Sequence, residues 1–296
     1  MFEILKAYEK HLSDKQTVSK STKDAYIRDI TTFLNYIDIS VSHDLNDVTR
    51  DDLENFRNAL ENSGKSTSTI NRHIASIKNF YRYLRKAKTN INDPTEEFHA
   101  AKNERKLPTI LSGKQVDKLL GAPDIHTPKG CRDKAMLELL YATGLRVSEL
   151  LDLELDDIQL KNGMVCCRSG NVIRTIPIYA EAKKAVQDYL LRVYPYYCRS
   201  DNNHLFINMN GSKLTRQGFW KILKFYADEL GFGADITPHT LRHSFATHLI
   251  ENGASVEDVK DILGHADVSS TQIYAQIVNN RFKDTYNRCH PRAKSV

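Results

Sequence analysis

A chain of 296 residues, 41% hydrophobic and 27% charged, is long enough for two ordinary domains and has the make-up of a globular protein. No apolar run approaches the roughly 18 residues of a membrane span. The opening MFEILKAYEK is charged where a leader would be apolar, and the five cysteines are odd in number with no CxxC pair, so membrane, secreted-disulfide and zinc-framework classes are excluded and a cytoplasmic protein is expected.

The net charge of +5 is shared between the halves: residues 1–88 hold 15 basic and 12 acidic side chains, and residues 111–296 hold 24 and 21. That balance suits a polyanion gripped from two sides, and equally an ordinary surface with a slight lysine excess. Along 1–88 the pattern predicts helices only. Tyr26, Ile30, Phe33, Leu34 and Ile37 recur at helical spacing, as do Ile70, Ile74, Ile77, Phe80, Tyr81 and Leu84. Ser21 or Thr22, Thr49, and Ser68 or Thr69 are the expected helix starts. The last helix carries Arg72, Lys78 and Arg82 among aromatics, which suits phosphate contact as well as a solvated face. Periodicity fails over 89–110, where Pro94 and Pro108 mark a linker.

A second domain, 111–296, opens with Ser112 as the cap of a helix. A helix over 131–142 ends at Thr143-Gly144, and another starts near Val147. Residues 158–161, 164–168 and 172–178, separated by Asn162-Gly163 and Ser169-Gly170-Asn171, read as a three-stranded meander. Helices return at 180–193, 215–230, 238–251, 256–263 and 270–287. The fold class is mainly α with a small β-meander.

Several residues carry chemistry. Arg146 lies at a helix start, where free N–H groups and positive potential help to build an anion site, although an ion pair with Glu149 would also explain it. Thr237-Pro238 is a cap followed by a first-turn proline, so His239 and Arg242 share one face at a helix N-terminus. Arginine's planar fork can bind two phosphate oxygens at once. His243 follows His239 at i+4, but there is no third ligand and no HExxH pattern, so no metal is predicted, and His243 and His248 are read as structural. Ser255 with Asp258 forms a capping box, and Gly264 ends that helix, placing His265 on a tight turn. Tyr274 lies on the next helix, one of 14 tyrosines.

Taken together, ATGLRVSEL, TPHTLRHSFATHL, ILGHADVSSTQIYAQ and the terminal CHPRA resemble the tyrosine recombinase (phage integrase) family, in its Xer branch, over nearly the whole chain. The resemblance implies a helical, SAM-like core-binding domain over 1–88 and a catalytic domain over 111–296. It implies that Tyr274 attacks a DNA phosphodiester to form a 3′-phosphotyrosyl link. It further implies that Arg146 and Arg242 hold the non-bridging oxygens, that His239 takes part in proton transfer and that His265 hydrogen-bonds the phosphate. No cofactor is implied. Double-stranded DNA, a homo- or heterotetramer and a regulating DNA translocase are the implied partners, and 276–290, with Ile277, Phe282 and Tyr286, is the segment implied to be exchanged between subunits.

One position departs from the family pattern. A lysine in the hairpin turn is expected to protonate the leaving oxygen, but here the turn reads CRSGNVIRTIPI, with Ser169 in the lysine's place. Chromosome dimer resolution is the expected role. Integration or excision of a mobile element, a topoisomerase-like nickase and a catalytically weakened DNA-binding relative are the alternatives.

Overall fold

The computed structural model describes residues 2–14, 20–37, 45–87, 91–96, 98, 108–169, 172–199, 202–233, 236–264, 270–275 and 278. The chain divides into two compact units, Met1–Arg105 and Lys106–Val296. The first holds four helices among its described residues: α1 (Phe2–Asp14), α2 (Lys20–Tyr36), α3 (Arg50–Asn62) and α4 (Thr67–Ala87). The periodic apolar faces meet in one core that includes Tyr8, Ile30, Phe33, Phe56, Ile77 and Phe80. Thr49 caps α3 through a reciprocal box with Asp52, whose carboxylate accepts the Thr49 N–H at 2.9 Å. Such a cap stabilises a helix by about 1 kcal/mol. Helix α4 starts at Thr67, earlier than Ser68 or Thr69 would set it, because the Ser66 hydroxyl accepts the Thr69 N–H.

The second unit begins with α5 (Gly113–Gly121), capped by the Ser112–Gln115 box, and α6 (Pro128–Thr143). Helix α6 is buried on nearly every side and forms the centre of this unit's core. It starts three residues before the sequence-based boundary, with Thr127 accepting the Gly130 N–H and Pro128 in the first turn. After α7 (Val147–Asp152) come the strands β1 (Ile158–Gln159), β2 (Met164–Ser169) and β3 (Val172–Pro177). They form an antiparallel sheet in the order β1-β2-β3, with Cys167 opposite Arg174 and Ser169 opposite Val172. The remaining helices are α8 (Ala180–Arg192), the short α9 (Tyr194–Tyr197), α10 (Arg216–Glu229), α11 (Pro238–Glu251) and α12 (Val256–Leu263). Residues 270–275 are helical as well. The small β-bridges Glu154–His204 and Ile207–Lys213 were not foreshadowed in the sequence. Among the described residues no helix is long and apolar enough to cross a membrane.

Candidate active site

The site starts from a backbone requirement. Gly144 ends α6 in the left-handed region at φ 59°, and a Cβ there would stand 2.4 Å from the Phe245 ring. Glycine is thus required twice, by conformation and by the closeness of α11. The chain then turns directly into α7, with Arg146 as the residue preceding its first turn.

Glu149, in the first turn of α7, is buried, and three arginines converge on it. It accepts the Arg146 backbone N–H at 2.9 Å and the Arg146 guanidinium at 3.0 Å. Arg174, from β3, reaches both carboxylate oxygens, at 2.7 and 3.4 Å, and donates its Nε–H to the carbonyl of Ile262 at 2.8 Å. Arg242, from the first turns of α11, stands 4.0 Å from the same carboxylate and donates to the carbonyls of Gly144 and Leu263, the latter at 2.8 Å. Burial alone would push the Glu149 carboxyl up, but the Arg174 hydrogen bond, the Arg146 N–H and the two guanidinium charges outweigh it and hold the group ionised below its ordinary range. Burial, reinforced by Arg146, brings Arg242 down to about 10, which leaves it charged at neutral pH.

The three arginines differ in what remains free. Arg174 has 9% of its side chain exposed, and Arg242 is 4% exposed with two donors spent on carbonyls. Arg146 keeps 39% of its side chain exposed while paired with Glu149, so the ion pair and an outward-facing cation coexist. Arg146, Arg242 and His239 line one groove of about 450 Å³, and Arg216, Gln217 and Trp220 from α10 complete its wall. These α10 residues belong to none of the sequence motifs. The signal available is the sole tryptophan, one helical turn after Arg216 and Gln217 at a helix start capped by Thr215.

His239 is exposed in the groove, and partial desolvation with the charges of Arg242 and Arg146 lowers its pKa. One turn further along α11, burial, His239 and Arg242 bring His243 down to about 4. Its Nδ1 lies 2.9 Å from the hydroxyl of Tyr274, which is 2% exposed and packed with Phe245, Ala246, Val259 and Leu263. Burial raises the Tyr274 pKa, and Arg242 and Arg146 partly offset it. His248 is structural in the plain sense, its Nδ1 lying 2.8 Å from the Tyr141 hydroxyl.

His265 and, of the segment 276–290, every residue but Val278, so Ile277, Phe282 and Tyr286 with it, lie outside the described residues. Ser169 ends β2, and Arg168 beside it is ion-paired with Asp157. In the first unit the Arg72 guanidinium lies 3.0 Å from buried Asp29 while 41% of its side chain stays exposed, so here too an ion pair and an outward-facing cation coexist. Lys78 and Arg82 line a polar cleft with Arg85 and Lys86 and the acidic Asp93 and Glu96.

Comparison with known proteins places this arrangement. The phage integrase family pattern matches residues 109–281, and its N-terminal SAM-like domain matches residues 5–88. The chain belongs to the phage integrase family. Among relatives of this family, tyrosine recombinase XerD of Oceanobacillus iheyensis is 45% identical over 280 residues, covering 93% of this chain and 94% of that protein. Tyrosine recombinase XerD of Listeria monocytogenes serotype 4b is 42% identical over 297 residues, covering 99% and 100%. The solved structure of XerH site-specific recombinase, bound to palindromic difH substrate in a post-cleavage complex, superposes with a TM-score of 0.77 at 21% identity, over 94% of this chain and 83% of that one, which shows the shared fold. Within the integrase family this chain is a tyrosine recombinase.

Proposed function

We propose that the protein cuts and rejoins double-stranded DNA at a specific site through a 3′-phosphotyrosyl bond to Tyr274. The observation that carries the reading is the convergence of Arg146 and Arg242 on one groove, braced through Glu149, with Tyr274 tied to the same helix as Arg242. In this reading the scissile phosphate lies against the two guanidiniums, which offset the charge that builds up on its non-bridging oxygens. His239 and His265 complete the phosphate's hydrogen bonds. Tyr274 Oη attacks phosphorus and the 5′-oxygen leaves. The phosphotyrosyl bond conserves the energy of the broken linkage, so rejoining to a partner strand requires no ATP.

Resolution of chromosome dimers in the cytoplasm is the role the Xer-type relatives favour. Assembly into a tetramer through the 276–290 segment has a surface to use in an apolar groove of about 530 Å³ on the second unit, lined by Tyr141, Ile176, Tyr179, Phe245, Leu249 and Ile262. A suicide DNA substrate tests the chemistry: a covalent adduct is expected, and Tyr274→Phe must abolish it. One observation favours a second reading, a DNA-binding relative with weakened turnover, because Ser169 stands where the family has its hairpin lysine. Wild-type protein that binds DNA without forming an adduct, while Ser169→Lys forms one, would establish that alternative.

A further inference from the structure

Resting on the reading of Tyr274 as nucleophile, the geometry points to His243 as the group that takes the nucleophile's proton, a role the sequence alone assigns to His239. The Tyr274 hydroxyl is buried, and its hydrogen-bond partner among the described residues is His243 Nδ1, at 2.9 Å with the rings tilted by 49°. His239 lies on the same helix face one turn earlier, its ring centre 6.3 Å from that of His243, and faces the open groove. A base must lie within hydrogen-bond reach of the proton it removes, and His243 satisfies this in the free protein.

The step balances as follows. The Tyr274 Oη–H bond breaks as the Oη–phosphorus bond forms and the phosphorus–O5′ bond opens. The proton passes to Nδ1 of the neutral His243, making imidazolium, and the departing 5′-oxygen takes a proton from water, which leaves as hydroxide into the buffered solvent. Rejoining reverses the traffic, with the imidazolium returning the proton to Oη. Before DNA arrives the transfer is uphill, because burial and the charges of His239 and Arg242 disfavour a second proton on His243. That keeps Tyr274 protonated. A bound phosphate anion offsets those same charges and makes His243 a better acceptor.

Adduct formation on two suicide substrates, one ordinary and one with a 5′-bridging phosphorothiolate whose thiolate leaves without a proton, tests the assignment. His243→Asn puts an amide oxygen near the position of Nδ1; it keeps the tyrosine bond but takes no proton. We expect a roughly 100-fold loss of adduct rate on both substrates with unchanged DNA affinity. A rate within threefold of wild type overturns the proposal, as does rescue by the phosphorothiolate, which would place His243 on the leaving-group side. Should the variant misfold, ¹⁵N chemical shifts of the wild-type histidines decide: a proton on His243 Nδ1 in the DNA-free protein contradicts the acceptor role, and an unprotonated Nδ1 supports it. The nucleophile reading fails separately, by a wild-type adduct that survives Tyr274→Phe.

Discussion

The two sides of the candidate site are built in opposite ways. The phosphate side is cross-braced: α7, β3, α11 and the end of α12 are joined through Glu149, Arg174 and Arg242 by hydrogen bonds that leave the carboxylate and both inner guanidiniums little freedom. The nucleophile side is an apolar nest with one polar tie, His243 to Tyr274. Under the proposed function, the difference means that charge stabilisation is set before substrate binds, when it costs no reorganisation, whereas the tyrosine is held in a protected position.

The comparison can be broken most forcefully at Glu149. Glu149→Ala leaves three guanidiniums without their shared acceptor, and a loss of about 3–5 kcal/mol in urea unfolding is expected, against a small change for a surface carboxylate. Gly144→Ala should cost about 2–3 kcal/mol by the same measurement, since both φ and the Phe245 ring oppose a side chain. Acid sharpens the contrast. Above pH 6.5 His243 is neutral folded or unfolded. Below it the unfolded chain takes the proton first, and the folded form follows only near pH 4, so stability falls as pH drops across that window. His243→Asn should flatten this fall by about 2 kcal/mol in a pH series of melts, less than the roughly 3 kcal/mol of the full shift because the ring is partly solvated. Smallest of all, Tyr274→Phe removes one hydrogen bond and should change stability by about 1 kcal/mol while leaving DNA affinity intact. A large loss there would mean that the tyrosine is structural.

How much of this was legible in the sequence follows from where the signals lie. The boundaries of α11 and α12 were readable because the local signals agree: Thr237-Pro238 at one start, Ser255 with Asp258 at the next, and Gly264 at φ 63° as the stop. Helix α6 was placed late because a helix buried on all sides has no polar face to give it periodicity, and its start rests on Thr127-Pro128 alone. Arg146, His239, Arg242 and Tyr274 were found by motif, and the structure gathers Arg146, His239 and Arg242 on one groove while tying Tyr274 to His243. Arg174 and Glu149, 25 residues apart, and His243 and Tyr274, 31 apart, depend on tertiary packing that no local period encodes. The Arg72–Asp29 ion pair is likewise invisible locally, because the spacing that exposes a helix face does not show a buried carboxylate on a neighbouring helix.

The central claim is that Tyr274 alone forms the covalent bond to DNA. Peptide mapping by mass spectrometry of the adduct trapped on a suicide substrate measures this most directly. The predicted result is a single nucleotide-modified peptide carrying the phosphate on Tyr274; a modification on another residue, or a DNA-linked band persisting in Tyr274→Phe, would contradict it.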